Sequence, residues 1–246
     1  MMLLRHLGNY VILLKKIFSW PEKPSVYYKQ TVRELENLGV NSIGIIAIIS
    51  VFMGGVITIQ TAYNIENPLL PTYLIGLAAR DSILLEFSST IVALILAGKV
   101  GSSIASELGT MSVTEQIDAL EIMGINSAGY LILPKIIALM IFAPFLTIMS
   151  MIIGIFGGWA AGTFAGVVTT TNYIQGIQFA FIPYYITYSL IKSVIFAFII
   201  TTVSAYHGYY TNGGALEVGR SSTRAVVHSS VVILLFNLLL TQLLLS

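Results

Sequence analysis

Long stretches without a charged residue separate short polar segments along most of the chain. Residues 136–191 contain no Asp, Glu, Lys or Arg. A water-soluble helix could not stay uncharged for so long, because one of its faces must meet water. A helix that crosses about 30 Å of hydrocarbon needs about 20 mainly apolar residues. The pattern therefore predicts a protein whose main solvent is lipid.

Five uncharged or nearly uncharged stretches have the length of a membrane span. They lie at residues 42–63, 82–103, 136–166, 182–206 and 225–245. At about 1.5 Å per residue the third is longer than the hydrocarbon layer, so it must tilt, kink or fold back, and Pro144 offers a place to bend. We expect an all-α integral membrane protein that forms a single domain over residues 1–246.

The first 36 residues predict a helix that lies in the membrane interface. Their apolar residues fall at helical spacing, and Trp20 with the neighbouring lysines suits the headgroup layer. These apolar positions are Leu3, Leu4, Leu7, Val11, Leu14 and Phe18. A secretory signal would place its charges first and end in a small-residue cleavage site, which this segment does not. A frayed tail is the alternative.

Lysine and arginine lie mainly on one side of the predicted spans, which sets the orientation. On that side are Arg5, Lys15, Lys16, Lys23, Lys29, Arg33, Lys99, Lys135, Arg220 and Arg224. On the other side we find only Arg80. Five spans then place the N-terminus in the cytoplasm and the C-terminus outside. Two crossings within 136–166 would move Arg220 and Arg224 outside, so a single crossing fits better.

Composition excludes several kinds of chemistry. Only 9% of residues are charged, the formal net charge is +1 and cysteine is absent, so neither nucleic-acid binding nor a thiolate metal site is expected. The three histidines, His6, His207 and His228, are scattered without metal-ligand spacing. Gly98-Lys99 is not a nucleotide-binding loop, because Val100 stands where Ser or Thr is required. The sequence predicts no cofactor.

Two further patterns indicate structure rather than chemistry. Small residues recur at helical spacing and predict close packing between helices. They are Gly54, Gly55, Gly98, Gly101, Gly154, Gly157, Gly158 and Gly162. Tyr184, Tyr185 and Tyr188 are typical of an aromatic belt at the outer membrane surface.

Residues 107–124 form the densest polar stretch in the middle of the chain. Ser112 and Glu115 have the spacing of a capping box that begins a helix, and Gly124 is placed to end it. The apolar side would carry Val113, Ile117, Leu120 and Met123, and the acidic side Glu115, Asp118 and Glu121. So short a helix needs a surface to pack on. It lies either on its own membrane domain or in the groove of a cytosolic partner with a basic rim.

Three motifs resemble the signature of MlaE-type permeases, the membrane subunits of bacterial lipid-trafficking ABC transporters. The first is GKVGSSIASELGTM at 98–111, continued by EQIDAL at 115–120 and by Met123-Gly124. The others are GRSSTRAVVHSS at 219–230 and LIKSVIF at 190–196. The chain departs from the family in two places. LEFSS at 85–89 replaces the family's frequent Arg-Glu-Leu-Gly-Pro, which removes a cation beside Glu86, and Ser127 replaces a proline.

This resemblance implies an architecture and a set of partners. Residues 107–124 would be the coupling helix that contacts a cytosolic ATPase, through Glu107, Glu115, Gln116 and Asp118. The family also implies two copies of the permease, a periplasmic MCE-domain partner and a phospholipid cargo. It further implies the bacterial inner membrane as the location, with ATP hydrolysis on the separate ATPase subunit.

Two ionisable residues lie within predicted spans, Glu86 and Lys192. An unpaired charge in hydrocarbon costs several kcal/mol, so such residues usually face a cavity or pair with each other. Both lie toward the outer half of the membrane, and Lys192 can extend its side chain outward, so the two could meet. We hypothesise that they form a polar spot in an apolar pocket for a phospholipid headgroup. For Glu86, a carboxylate near the outer headgroups is the alternative.

Two other classes of function remain open. An intramembrane enzyme could draw on Ser189 and His228, although no nucleophile motif surrounds either residue. An ion-coupled secondary carrier could use Glu86 and Lys192 without an ATPase.

Overall fold

The computed structural model describes residues 2–19, 24–65 and 70–245, and every regular element within these ranges is helical. This confirms the predicted all-α class. Trp20 and Lys23, which the sequence places near the headgroups, lie outside the described residues.

Eleven α-helices follow one another along the described chain, and several join end to end. The first is α1 (Met2–Ile17). Next, α2 (Pro24–Glu34) continues through a π-helical turn (Leu35–Gly39) and a 3₁₀ turn (Val40–Ser42) into α3 (Ile43–Asn64). A second continuous helical segment is made of α4 (Tyr73–Ser82), a π segment (Ile83–Ile91), α5 (Val92–Leu96), a π segment (Ala97–Gly101) and α6 (Ser102–Val113). The remaining helices are α7 (Gln116–Ile122), α8 (Ser127–Phe164), α9 (Thr170–Gln178), α10 (Tyr184–Tyr209) and α11 (Ala215–Leu245).

Five helices within the described ranges are long and apolar enough to cross a membrane. They are Tyr27–Asn64, Tyr73–Val113, Ser127–Phe164, Tyr184–Tyr209 and Ala215–Leu245. Each overlaps one predicted span, and most extend well beyond it. The chain is therefore a multi-pass membrane protein, whereas the positions of the membrane borders along each helix stay predictions.

The closest helix packing joins α3 to α8 through small residues. A Cβ atom on Gly54 would overlap the carbonyl of Gly154, and one on Gly157 would overlap the carbonyl of Val51. Between these helices Ser50 Oγ donates to Ser150 Oγ at 2.9 Å. The predicted packing role is confirmed for these glycines. It is wrong for Gly98, which has open space around it.

The long third segment forms a single continuous helix. With 38 residues, α8 measures about 57 Å, and Pro134 and Pro144 lie inside it. It ends in a turn whose Gly166 has φ +70°, a left-handed conformation that glycine adopts without steric cost. Beyond the turn the chain reverses into α9, which packs on α4.

Arg80 joins α4 to α9 at the end that the sequence places outside. Its side chain is 2% exposed, and its guanidinium donates to the carbonyls of Ile177 and Phe179 at 2.7 and 2.8 Å. These carbonyls lie at the C-terminus of α9, where a cation is favoured by the helix dipole. Asp81 pairs with the same guanidinium at 2.8 Å.

Helix α1 packs on the bundle along one side and leaves an apolar side uncovered. Leu13 and Ile17 are buried in the core, whereas Leu7, Val11 and Phe18 are more than half exposed. Leu7, Val11 and Phe18 of the predicted apolar stripe are thus uncovered, whereas Leu14 packs against the core, and the uncovered side suits an interfacial helix. The alternative of a frayed tail is wrong for this helix.

Candidate functional site

The two predicted intramembrane charges meet. Lys192 Nζ on α10 lies 2.9 Å from Glu86 Oε1, which comes from the π segment Ile83–Ile91. Lys192 is fully buried, so its ammonium group has little access to water. The pairing offsets the cost that either charge would meet alone in an apolar surrounding.

Polar side chains from α10 and α11 complete a cluster around this pair. Tyr188 Oη lies 2.9 Å from Lys192 Nζ, and Thr241 Oγ1 lies 3.2 Å from Glu86 Oε1. The second carboxylate oxygen, Oε2, accepts from Asn237 Nδ2 and Thr90 Oγ1, each at 3.0 Å. We refer to Glu86, Thr90, Tyr188, Lys192, Asn237 and Thr241 as the Glu86–Lys192 cluster.

The placement of Tyr188 differs from its prediction as part of an aromatic belt. Its ring is fully buried, and Lys192 Nζ lies 4.7 Å from the ring centroid. The belt prediction is wrong for Tyr188, because its hydroxyl bonds to Lys192, one helical turn later, inside the protein. Tyr184 is 44% exposed, as a belt residue would be, and donates to the carbonyl of Leu244 at 3.0 Å.

The cluster is open on the side of Glu86. The carboxylate side chain is 45% exposed, whereas that of Lys192 is 0% exposed. A π-helical segment carries Glu86, and π-helical turns in proteins are often found at functional sites. The arrangement presents the Glu86 carboxylate at the surface, with the half-buried Asn237 and Thr241 beside it and a buried cation behind them.

Ser189 and His228, the residues available to an intramembrane enzyme, are not brought together. Ser189 Oγ donates to the carbonyl of Leu84 near the start of α10. His228 contacts His207 near the end of α10. Eighteen residues of helix separate positions 189 and 207, about 27 Å. The structure therefore gives no support to the enzyme alternative through this pair.

The predicted coupling segment 107–124 consists of two helices. Ser112 lies inside α6, and its hydroxyl donates to the carbonyls of Tyr209 and Thr211 at 3.3 and 2.9 Å. Glu115 adopts φ +59° between α6 and α7 and makes no side-chain capping bond. The capping-box interpretation is therefore wrong, because the Ser112 hydroxyl bonds to carbonyls at the C-terminal end of α10 and makes no cap for α7. Gly124, with φ +77°, follows α7 as predicted.

The apolar and acidic sides of α7 also differ from the prediction. Ile117 is buried, but Ile122 and Met123 are 87% and 65% exposed. Glu115, Gln116 and Asp118 are exposed on the same short segment. The outward surface of α7 is thus mixed apolar and acidic.

Glu121, predicted on the outward acidic side, instead ties α7 to the rest of the protein. Its Oε1 atom lies 2.5 Å from Lys16 Nζ and 2.8 Å from both Ser127 Oγ and Tyr209 Oη. Hydrogen bonds from Lys16, Ser127 and Tyr209 lower the pKa of Glu121 to about 2. Burial lowers the pKa of Lys16, but its bonds to Glu121 and Tyr209 outweigh burial and raise it. Helices α1, α7, α8 and α10 thus meet at one carboxylate.

Glu107 contacts the membrane bundle rather than lying free on the surface. Its carboxylate accepts from Lys135 Nζ at 2.8 Å, and Glu34 accepts from the same ammonium at 2.7 Å. The side chain of Lys135 is only 3% exposed, whereas that of Glu107 is 49% exposed. The triad joins α2, α6 and α8. Sequence reasoning missed it, because Lys135 looked like a loop-flanking cation.

Together these features define a multi-pass α-helical membrane protein with an ion pair between two candidate spans toward one end and a short exposed helix at the other. Within the described ranges, no group of three or more His, Asp or Glu residues is arranged to hold a metal ion. The chain belongs to the MlaE permease family: residues 31–243 match the family described as Permease MlaE.

Relatives of known name agree with this membership. A probable ABC transporter permease protein of Rickettsia prowazekii is 36% identical over 226 residues, 90% of this chain and 85% of that protein. The intermembrane phospholipid transport system permease protein MlaE of Haemophilus influenzae is 31% identical over 222 residues, 89% of this chain and 85% of that protein. The chloroplastic protein TRIGALACTOSYLDIACYLGLYCEROL 1 of Arabidopsis thaliana is 33% identical over 220 residues, 89% of this chain and 63% of that protein.

Proposed function

We propose that this chain is the membrane subunit of an ABC transporter that moves phospholipid, and that a separate cytosolic ATPase supplies the energy. The relative from Haemophilus influenzae is named for intermembrane phospholipid transport, which supports the cargo class. The chain contributes a path and a docking surface, and hydrolysis takes place on the partner.

The proposed cargo site rests on one observation, that the Glu86–Lys192 cluster is exposed on one side only. The cluster leaves Glu86 45% exposed, although it lies within a predicted span. A zwitterionic or anionic headgroup could approach there, with its phosphate drawn to the ammonium of Lys192 and its polar groups to Glu86, Asn237 and Thr241. Acyl chains would lie against the neighbouring apolar surfaces of α11.

The docking surface for the ATPase is the outward side of α7. Exposed Ile122 and Met123 supply apolar area that a groove on the partner would cover. Glu115, Gln116 and Asp118 supply polar and acidic groups that suit a basic rim. Glu107 acts from within its ion triad, so movement of the docked segment would reach α8 through Lys135.

The remaining assignments rest on the lysine and arginine distribution and on the family. The N-terminus, α7 and the first turns of α11, which carry Arg220 and Arg224, face the cytoplasm, and the C-terminus faces the periplasm. The membrane is the bacterial inner membrane. Two copies assemble around a central path and pass lipid to a periplasmic MCE-domain partner. Apolar side chains such as Leu234 and Leu238 on α11 are exposed in the single chain and are available to lipid or to a second copy.

The test combines purification in mild detergent with lipid analysis. The chain, co-expressed with the ABC ATPase of the same organism, should retain both that ATPase and phospholipid. In vesicles the complex should then move labelled phospholipid only when ATP is hydrolysed. Transport by the chain alone under an ion gradient would contradict the proposal and favour a secondary carrier.

A further inference from the structure

A second polar site lies at the end of the molecule opposite the Glu86–Lys192 cluster. The N-terminal part of α1, the last turn of α10 and the first turns of α11 line a half-open pocket of about 680 Å³. This volume lies in the range of small-molecule sites. Fifteen residues of α10 separate Lys192 from His207 in this pocket, about 22 Å along the helix. The proposed function makes no use of it.

All three histidines of the chain line this pocket, although they are far apart in sequence. His6 Nδ1 lies 2.7 Å from Tyr206 Oη. His207 Nε2 lies 2.8 Å from His228 Nδ1, and the two rings stack with centroids 4.8 Å apart. One of these two facing nitrogens accepts the hydrogen bond. The ring that accepts carries its proton on its outer nitrogen, which can then donate to a ligand.

The charge lining the pocket favours an anion. Arg224 lines it from α11, one turn before His228. Glu217 is the one acidic side chain among the described residues that line the pocket, and Arg220 pairs with it at 2.5 Å. With Glu217 neutralised by Arg220, the guanidinium of Arg224 is left to attract a negative group. A planar guanidinium beside imidazole and hydroxyl donors suits the oxygens of a phosphate.

The surroundings of the pocket are apolar on two sides. Leu7 and Val11 are exposed on α1, and Val227 and Val231 are exposed on α11. A ligand could therefore place a polar head in the pocket while an apolar tail runs along these helices. This geometry fits a lipid of the leaflet next to α1.

We propose that this histidine pocket binds a phosphate group, with Arg224 as the main charged contact and His228 and His6 as hydrogen-bonding partners. The phosphate belongs to a lipid headgroup or to a soluble phosphate compound. The site is distinct from the proposed transport site, so either can fail without the other.

The experiment measures binding to the purified full chain in detergent. Three probes are compared: dioctanoyl phosphatidic acid, dioctanoylglycerol with the same chains but no phosphate, and inorganic phosphate. The variant is Arg224→Gln. Arg33→Gln is the matched control, because it removes the same charge from an exposed arginine on α2 that does not line the pocket, whereas a change at Arg220 would free the Glu217 carboxylate inside it. All measurements are repeated in a Lys192→Ala background, which separates this pocket from the transport site.

We expect Arg224→Gln to weaken phosphatidic acid binding on the order of tenfold, since the substitution removes a charged hydrogen bond to the phosphate. Arg33→Gln should bind nearly as wild type, and dioctanoylglycerol should not compete. The same dependence on Arg224 with inorganic phosphate alone would identify a soluble source and still support the site. Equal effects of the two substitutions, or none, would overturn it.

A second measurement needs no variant. Diethylpyrocarbonate modifies accessible imidazoles, and His6 and His228 are both exposed. Phosphatidic acid or inorganic phosphate should slow their modification in the wild-type chain, as followed by mass spectrometry of the peptides. Unchanged modification rates with both probes would contradict the proposal, even if Arg224→Gln failed to fold.

Discussion

Lys192 Nζ lies 2.9 Å from Glu86 Oε1, and this contact joins two residues that are 106 positions apart in the chain. The lysine is the buried member, and the glutamate is the open one. Because the lysine has its partner inside the protein, a headgroup phosphate would share it with Glu86 rather than meet a free cation. The pairing therefore keeps the buried ammonium neutralised whether or not the proposed headgroup is bound.

Replacing Lys192 by Ala should lower the amount of phospholipid that co-purifies with the chain and slow transport. The ammonium is the cation in the cluster, and without it the Glu86 carboxylate repels a phosphate. Lipid phosphorus per mole of protein is the measurement, together with ATP-dependent transfer of labelled lipid. Lys99→Ala removes an exposed lysine of the π segment Ala97–Gly101, away from the cluster. It should leave both the lipid content and the transport rate unchanged. Unchanged transport by a well-folded Lys192→Ala variant would count against the site.

The double variant Lys192→Ala/Glu86→Gln should be less destabilised than the sum of its single substitutions. Each single change leaves one member of the ion pair without its partner, whereas the double change removes both charges together. Thermal unfolding of the four proteins gives the coupling energy. Strict additivity would mean that the two groups do not stabilise each other.

Substitution of Ile122 by Ser should abolish or strongly weaken retention of the ATPase. The side chain is 87% exposed on α7, so its loss should not disturb the fold. The measurement is co-purification of the tagged chain with its ATPase. Ile174→Ser changes an exposed isoleucine on α9, at the other end of the molecule, and should leave ATPase retention unchanged. Equal retention by both variants would place the docking surface elsewhere.

The sequence was sufficient for the fold class and for the meeting of Glu86 with Lys192. Both follow from one physical rule, that hydrocarbon tolerates neither open backbone polar groups nor single charges. The same rule does not say which uncharged residues join the pair. The sequence therefore predicted Tyr188 as a belt residue, and it did not predict the hydrogen bond from Asn237 to Glu86.

The arrangement at the end of the bundle that carries α7 could not be predicted from local patterns. Ser112 has capping spacing, but its hydroxyl bonds to carbonyls near residue 210. Glu121 falls on the acidic side of a helical wheel, yet it turns inward because Lys16 lies there. The three histidines are scattered in sequence, and only the antiparallel packing of α10 and α11 brings His207 to His228. These contacts depend on tertiary packing, which outweighs local preference.

Replacing Gly54 by Ala should destabilise the protein by about 1–3 kcal/mol or more, because the added methyl group meets backbone rather than a movable side chain. Helices α3 and α8 would have to separate along the contact that Ser50 and Ser150 share. Unfolding in mild detergent followed by circular dichroism gives the measurement. Gly98→Ala is the matched control, since its surroundings are open and the change should be neutral or stabilising by up to about 1 kcal/mol. Equal stability of the two variants would contradict close packing at Gly54.

Replacing Glu121 by Gln should remove a pH-dependent part of the stability at the acid end. The pKa of Glu121 is about 2 in the folded protein, against an ordinary value of 4.5. A lowered folded pKa means that the carboxylate contributes fully above about pH 4.5 and loses its contribution as the pH falls toward 2. The side chains of Glu121 and Lys16 are 43% and 40% exposed, so water screens the pair and the effect should be at most about 1 kcal/mol.

The melting temperature of the wild type should therefore fall toward that of Glu121→Gln between pH 4.5 and 2, and the two should differ by a constant amount from pH 5 to 8. Glu115→Gln, an exposed carboxylate outside this network, should follow the wild type throughout. Parallel curves for wild type and Glu121→Gln down to pH 2 would mean that the contact with Lys16 does not hold α7 in place.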